Sequence, residues 1–260
     1  MSERVPTSQV ALDEVTALCR RLRLKYVREQ LDDVVRTAQA QRWDPTEILR
    51  VLLTHEAEGR DRSTIEVKRR RAHFPAGKTL DTWVSERSSI SVATQRALAS
   101  LEWVERRENL AIAGPSGTGK SHWLEALGQK AVEEGLSVAW FSVEDLGVLV
   151  RRHRVDDSVS KAFAALSSVS LTVVDDIGLL PVSADAAEGL YRLVDAAYEK
   201  RSVAISSNLH PSGLDQLMDK TIASALVDRL LHHAHVIVTE GESVRLADAT
   251  SGKGVKPLDD

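Results

Sequence analysis

An eight-residue glycine-rich stretch constrains the fold of this 260-residue chain more than any other feature. Its residues are Gly114, Pro115, Ser116, Gly117, Thr118, Gly119, Lys120 and Ser121, which fit the phosphate-binding pattern G-x-x-x-x-G-K-S/T without a mismatch. The apolar run 109–113 precedes the stretch, and a helix-like segment begins at His122. In a strand–loop–helix unit of this kind, backbone N–H groups and the helix dipole bind phosphate. The sequence therefore predicts a site for a nucleoside triphosphate.

The residues at the end of this loop have separate expected roles. Lys120 is placed to reach the β- and γ-phosphates, and the Ser121 hydroxyl is expected to be a ligand for Mg²⁺. His122 follows directly, at the start of the helix, and belongs to the predicted nucleotide-binding set.

A second diagnostic stretch runs from Ser170 to Asp176. A continuous apolar run that ends in two carboxylates is typical of a buried parallel strand with acids at its C-terminal tip, where open α/β sheets bind ligands. Asp175 is expected to hold Mg²⁺ through water, and Asp176 to orient or activate the attacking water. A later apolar strand ends at Asn208, whose amide can bind this water or the γ-phosphate, although asparagine also ends strands as a turn residue.

Strands that alternate with helices over residues 108–250 predict an α/β fold, a P-loop core of three layers with a parallel sheet. We predict a small all-helical region over residues 1–85, a connecting helix over 86–107 and a flexible tail at 251–260. Trp83 is expected to anchor the chain just before the connecting helix.

Apolar residues recur at helical spacing over residues 9–41, which indicates one or two amphipathic helices in the N-terminal region. Asp44, directly before a proline, marks the start of a longer helix that extends to about Arg71. Glu47 is expected to complete a capping box at that start.

Basic residues concentrate in the N-terminal part of the chain. Residues 1–107 contain 20 Lys and Arg against 16 Asp and Glu, whereas residues 108–260 have a net charge of −8. The run from Lys68 to Arg71 ends the long helix, where the helix dipole also favours cations. Four consecutive residues cover all sides of a helix, however, and cannot all pair with one acidic face. Contact with nucleic-acid phosphates is therefore the favoured interpretation.

A second basic cluster, near residue 153, lies in the otherwise acidic half of the chain, and we predict that it also contacts DNA. The full predicted DNA-binding set is Lys68, Arg69, Arg70, Arg71, Arg151, Arg152 and Arg154.

Composition indicates the cellular compartment in which the protein is expected. The single cysteine, Cys19, cannot form an internal disulfide, which fits a reducing compartment. No run of about 18 apolar residues is present, and the first residues open no apolar segment, so we expect a cytoplasmic protein with no membrane contact. His232, His233 and His235 have spacings that do not converge on a metal, so a structural role is favoured for them.

The combination of motifs resembles a known family, the AAA+ ATPases of the IstB type, which are transposition helper proteins of bacterial insertion sequences. The resemblance covers most of the chain and depends on residues 114–121, 171–178, 206–209, 227–235 and 241–246. Helicase loaders of the DnaC type are close relatives of this family. The helical N-terminal region resembles the DNA-binding region of IstB proteins rather than the helicase-binding region of a loader.

The resemblance implies roles for three further residues. Asn208 matches sensor 1, and Arg229 matches the arginine finger that completes the ATP site of a neighbouring subunit. Arg245, which we expect on a short strand, matches the sensor 2 arginine that contacts the γ-phosphate. Many AAA+ proteins have Asp-Glu where this chain has Asp175-Asp176. Because Asp176 is one methylene shorter, a slow ATPase is expected.

The resemblance implies ATP and Mg²⁺ as cofactors and a homo-oligomer that assembles on duplex DNA with little sequence preference. Such an assembly would assist a cognate transposase in target selection and strand transfer. A replicative helicase loader is the alternative with the same fold. A P-loop kinase for a small molecule, which needs no arginine finger, and a binding module with ATP as a structural ligand are the remaining alternatives.

Overall fold

The computed structural model describes residues 8–178 and 181–250. The chain divides into two compact units, residues 1–67 and 68–260, so the segment 68–85 belongs to the larger unit. The predicted flexible tail at 251–260 lies outside the described residues.

The smaller unit is helical, as predicted. Its elements are α1 (Ser8–Arg21), α2 (Lys25–Gln41) and most of α3 (Pro45–Ala72), whose last turn belongs to the larger unit. The region 9–41 forms two helices because the chain reverses at Arg23, where φ is 57°. Cys19, Leu31 and Leu52 pack together in the core between the helices.

The start of α3 follows the prediction only in part. The Asp44 carboxylate accepts a hydrogen bond from the N–H of Thr46 at 2.8 Å, as a capping residue does. Glu47, which was expected to complete a capping box, accepts two hydrogen bonds from the Arg50 guanidinium instead, because Arg50 lies within reach one turn further along the helix.

A buried carboxylate joins two helices of the smaller unit. Glu56 in α3 is 5% exposed, and its Oε2 accepts from the N–H groups of Tyr26 and Val27 at 2.8 and 3.0 Å, in the first turn of α2. Its Oε1 accepts from Arg60 at 2.7 Å. Burial raises the pKa of Glu56, but the bonds from Arg60, Val27 and Tyr26 outweigh burial and hold it below its ordinary value.

Glu56→Ala is expected to lower the free energy of unfolding by about 2–3 kcal/mol, because the buried N–H of Val27 and the partly buried N–H of Tyr26 lose their acceptor. Since the folded-state pKa of Glu56 is lowered, its contribution is fully present above the unfolded pKa of about 4.3 and is lost as the pH falls through the folded value. Urea unfolding followed by circular dichroism at pH 7 and at pH 3 measures both effects. An equal difference between wild type and variant at the two pH values would contradict the assignment.

The larger unit contains one parallel sheet of five strands, in the order β2-β3-β4-β1-β5. The strands are β1 (Asn109–Ala113), β2 (Val138–Ser142), β3 (Leu171–Ile177), β4 (Ser202–Ser207) and β5 (Ala234–Val238). Because all pairs are parallel, the C-terminal ends of the strands lie at one edge of the sheet, where the loops that bind ligands begin. The predicted α/β fold class is confirmed.

Helices cover the sheet and connect its strands. They are α4 (Val92–Ala99), α5 (Glu102–Glu105), α6 (Lys120–Glu133), α7 (Val143–Arg154), α8 (Val159–Leu166), α9 (Ala184–Ala197), α10 (Lys220–Leu231) and α11 (Val244–Thr250). Helices α7 to α10 pack with Ala111, Val174 and Ile205 in one apolar core. The alternate strand residues Leu110 and Val173 point to the other face, which α6 contacts.

Two further sequence expectations about local structure were wrong. The connecting helix predicted over residues 86–107 is broken into α4 and α5, because Leu101 takes a left-handed conformation (φ 60°) that buries its side chain. Arg245 lies in α11 and not on a short strand. Ser243 starts this helix, since its hydroxyl accepts a hydrogen bond from the N–H of Leu246 at 3.2 Å.

Across residues 8–178 and 181–250, no helix has both the length and the apolar character needed to cross a membrane.

Candidate nucleotide-binding site

The glycine-rich loop leaves β1 and enters α6, and three of its glycines have backbone angles that other residues rarely adopt. Gly114, Gly117 and Gly119 have φ values of 146°, 85° and 91°. A side chain at Gly114 would collide with Thr239 after β5, and one at Gly117 would collide with Ser243 before α11. The loop therefore needs glycine both for its conformation and for the close approach of its neighbours.

Lys120 lies at the centre of the site and is 5% exposed. Its Nζ donates to the carbonyl oxygens of Gly114 and Pro115, both at 2.8 Å, and to Oδ1 of Asn208 at 2.9 Å. Burial lowers the pKa of Lys120, while the carboxylates of Asp176 and Asp175 act in the opposite direction. The structure thus brings Asn208, at the end of β4, to the loop as the sequence predicted.

Asp175 lies at the tip of β3, beside the loop. Its Oδ1 accepts from the Ser121 hydroxyl at 2.9 Å and from the Ser206 hydroxyl. Burial raises the pKa of Asp175, and the two hydroxyl donors counteract this effect. The adjacent hydroxyl and carboxylate are hard oxygen donors of the kind that Mg²⁺ prefers, so Ser121 and Asp175 fit the predicted metal site.

Asp176 is exposed and has a left-handed backbone (φ 61°). The register between β3 and β4 shifts at this point, between Val174 and Ile177, and the N–H of Asp176 donates to the Ser206 hydroxyl at 2.9 Å. Ser206 therefore contacts both acidic residues. Sequence reasoning missed this role, although a polar residue inside an apolar buried strand was the available signal.

A cavity of about 400 Å³ lies between the glycine-rich loop and the acidic end of β3. The predicted residues that line it are Ser116, Gly117, Gly119, Lys120, Ser121, His122, Asp175, Asp176 and Arg245. The lining residues that the sequence did not predict are Pro75, Ala76, Lys78, Glu125 and Val244. Arg245 reaches the cavity from the first turn of α11, and its charge acts on Lys120.

A second cavity, of about 250 Å³, shares Gly119 and His122 with the first. Trp83 lines it and packs against Trp123 and His122, with ring centroids 4.9 and 5.1 Å away. The Trp83 indole N–H donates to Gln95 at 3.0 Å. Burial lowers the pKa of His122, which favours a neutral imidazole near pH 7. Trp83 thus anchors the segment between α3 and α4 on the start of α6.

Arg229 does not line the nucleotide cavity of its own chain. It lies in α10, with its guanidinium 5.3 Å from the centroid of the Tyr191 ring and its Nε 3.0 Å from Oδ1 of Asp195. A role in the site of a neighbouring subunit stays a prediction.

The basic end of α3 is partly occupied by contacts with α6. Lys68 donates to the carbonyl oxygen of Gly135, and Arg69 contacts Gln129 and Glu133, each at 2.9 Å. Arg70 and Arg71 are exposed. These two arginines are therefore the residues of this cluster with the most accessible charge.

The second basic cluster faces α9. Arg151 and Arg154 lie 3.5 and 2.7 Å from carboxylate oxygens of Asp185, and Arg154 also pairs with Glu188 at 2.8 Å. Arg152 is exposed. Acidic residues of the same chain thus neutralise part of this predicted DNA surface, whose role stays a prediction.

Of the three histidines after α10, His232 and His233 lie together, with ring centroids 4.1 Å apart, and His235 lies apart from them. Nε2 of His235, in β5, lies 2.7 Å from Oε2 of Glu108, whereas Nδ1 of His232 lies 3.0 Å from the Tyr198 hydroxyl. Ligand atoms of Glu199, His232 and His233 lie within 4.8 Å of one another, and all three residues are exposed.

Comparisons with known proteins place this geometry in context. AMPPCP-bound DnaA from Aquifex aeolicus matches with a TM-score of 0.52 and 21% identity. The match covers 71% of this chain and 58% of the DnaA chain, and it supports the fold alone.

Two relatives match over nearly their full length. An IS21 putative ATP-binding protein of Pseudomonas aeruginosa is 29% identical over 96% of both chains. An IS232 putative ATP-binding protein of Bacillus thuringiensis is 30% identical over 87% of this chain and 92% of the relative. The profile of IstB-like ATP binding proteins matches residues 17–251, and the chain therefore belongs to the IstB-like ATP-binding protein family.

Proposed function

We propose that this protein is a Mg²⁺-dependent ATPase that assembles into a homo-oligomer on duplex DNA and assists a cognate transposase in target selection and strand transfer. The observation that carries the ATPase part is that Lys120 and Asp175 line one cavity, while Asn208, from a third element, accepts a hydrogen bond from the Lys120 ammonium group. The relatives' association with insertion sequences supports the transposase as partner.

In this proposal, each residue of the cavity has a role in phosphoryl transfer. The loop N–H groups and Lys120 bind the phosphates and stabilise the charge that develops on them. Ser121 and Asp175 hold Mg²⁺, which would neutralise phosphate charge when bound. Asp176 orients the attacking water, and Arg245 contacts the γ-phosphate from α11.

The second cavity offers a place for the nucleobase. It adjoins the phosphate cavity, and its lining combines Trp83, Val84 and Val244 with the polar residues Lys78, Thr82, Arg87, Thr118 and His122. A flat base can stack on an aromatic ring and bind to polar groups beside it. An aromatic and polar cavity next to the phosphate cavity supports a nucleotide, rather than an inorganic polyphosphate, as the ligand.

The DNA part of the proposal is supported by the exposed arginines at the end of α3. Arg70 and Arg71 lie on a helix whose last turn packs on α6, the helix that begins with Lys120. DNA phosphates bound at these arginines would lie next to α6, so DNA binding could affect the nucleotide site through this one helix.

The proposal is tested by ATP hydrolysis with and without duplex DNA. DNA is expected to raise the hydrolysis rate of the wild-type protein. The double variant Arg70→Ala, Arg71→Ala should lose most of this stimulation and reduce the salt slope of DNA binding by about two, since each phosphate contact contributes about one. Immobilised protein with ATP and DNA should retain the cognate transposase and not a replicative helicase.

The matched control is the double variant Lys161→Ala, Lys200→Ala, which removes two exposed charges from the surface of the larger unit. It should leave both the stimulation and the salt slope unchanged. If the control and the Arg70, Arg71 variant weaken DNA binding equally, the effect is one of net charge and the proposed DNA surface is wrong.

A further inference from the structure

A buried carboxylate of α6 has no role in the mechanism proposed above. Glu125 is 2% exposed and lines the phosphate cavity, one turn beyond Ser121. Its Oε1 accepts hydrogen bonds from the N–H groups of Ala76 and Gly77, at 3.1 and 2.5 Å. Gly77 has a φ of 69°, which glycine adopts without strain. Glu125 thus fixes a turn of the segment between α3 and α4 against the nucleotide site.

This turn presents Lys78 to the site. Lys78 lines both the phosphate cavity and the second cavity beside Trp83. Its charge acts on His122, which follows the glycine-rich loop. Among the described residues, Lys78 has no ion-pair partner, so no carboxylate competes for its ammonium group.

The other two cations of the phosphate cavity come from different elements. Lys120 is supplied by α6 and Arg245 by α11, so Lys78 would add a third positive charge from a third element. A polyphosphate carries several negative charges and gains from cations on more than one side. An exposed lysine on a fixed turn, without an acidic partner, suits this role.

We propose that Lys78 contacts the phosphates of the bound nucleotide, and that Glu125 is a positioning residue that holds the turn on which Lys78 lies. This inference rests on the proposed ATPase function of the same cavity and adds a binding residue from outside the glycine-rich loop and the acidic strand tip.

Nucleotide affinity of full-length variants tests the inference, with displacement of a fluorescent ATP analogue by ATP and calorimetric titration with adenosine. Lys78→Ala is expected to weaken ATP binding about tenfold, as the loss of one charge-assisted contact would. Adenosine binding should not change, because adenosine has no phosphate. Lys78→Arg should retain most of the ATP affinity, and Lys161→Ala, an exposed lysine of α8, is the matched control.

Variants of Glu125 test the positioning role. Glu125→Ala should weaken ATP binding as much as Lys78→Ala, and the double variant should lose no more than either single one, because both act through the same contact. Glu125→Gln keeps an acceptor for the two N–H groups and should restore affinity. Should Glu125→Ala fail to fold, the Lys78 variants alone still decide whether Lys78 contacts the phosphates.

Three results would overturn the inference. Unchanged ATP affinity in Lys78→Ala excludes a phosphate contact. Equal losses for ATP and adenosine indicate general damage to the pocket. A wild-type protein that binds no ATP would overturn the proposed function and this inference with it, whereas ATP binding that is lost in Lys120→Ala and kept in Lys78→Ala overturns the inference alone.

Discussion

Replacing Lys120 with alanine is expected to lower ATP affinity at least about a hundredfold and to abolish measurable hydrolysis, because this side chain supplies a buried charge at the phosphates. Its Nζ is held by three oxygen atoms, from Gly114, Pro115 and Asn208. The ammonium is thus already oriented by the protein, and little conformational entropy is lost when it transfers its contacts to phosphate oxygens. Calorimetric titration with ATP and a phosphate-release assay measure the two effects.

Controls must show that the effect of Lys120→Ala on ATP binding is not an effect on folding or on net charge. Lys120→Ala leaves the amide oxygen of Asn208 without its donor, so its melting temperature is to be compared with that of wild type. Lys120→Arg keeps the charge but cannot fit the same three acceptors, and it should also lose hydrolysis. Lys161→Ala removes an exposed charge and should behave as wild type. Full ATPase activity in Lys120→Ala would place the chemistry elsewhere.

The strands of the sheet, and the site residues at their C-terminal ends, could be predicted from the sequence because local apolar patterns determine where the strands lie. The apolar run before Gly114 became β1 and the run before Asp175 became β3, and both strands pair with β4 between them. Because this pairing is parallel, their C-terminal ends lie at one edge of the sheet. Asn208 could be placed beside Lys120 for the same reason. Gly114 and Asn208 directly follow buried strands and Asp175 lies near the end of one, and all these strands end at the same edge of the sheet.

Contacts between distant segments could not be predicted in this way. Trp83 was expected to be an anchor, but its target on α6 depends on how the segment before α4 folds over the loop. Glu125 was missed because its partners are backbone N–H groups, which no side-chain pattern identifies. The strand expected at Arg245 was wrong because the short apolar pattern there was ambiguous, and the serine cap at Ser243 decided in favour of a helix.

Arg229→Ala is expected to lower the rate of ATP hydrolysis at least about a hundredfold while leaving ATP affinity nearly unchanged, since an arginine finger acts mainly on the transition state. A loss of activity in this variant has a competing explanation, namely that Arg229 has only a structural role through its pair with Asp195. Arg229 is 32% exposed and pairs with Asp195, which is 52% exposed, and a pair this accessible contributes at most about 1 kcal/mol to stability. Loss of that pair alone therefore cannot account for a hundredfold loss of activity.

Asp195→Ala separates the two explanations. It removes the partner carboxylate and leaves the guanidinium over the Tyr191 ring. If Arg229 has only a structural role, Asp195→Ala and Arg229→Ala should have the same small effect on hydrolysis and on melting temperature. If Arg229 is a finger, Asp195→Ala should retain most of the activity.

Mixing two inactive variants tests whether Arg229 acts on a neighbouring subunit. Lys120→Ala subunits keep Arg229, and Arg229→Ala subunits keep an intact nucleotide cavity. When the subunits exchange, half of the intact cavities gain a neighbour with Arg229, so an equimolar mixture should recover up to about a quarter of the wild-type rate. A finger that acted within its own chain would give no recovery, because every cavity would still lack either Lys120 or Arg229.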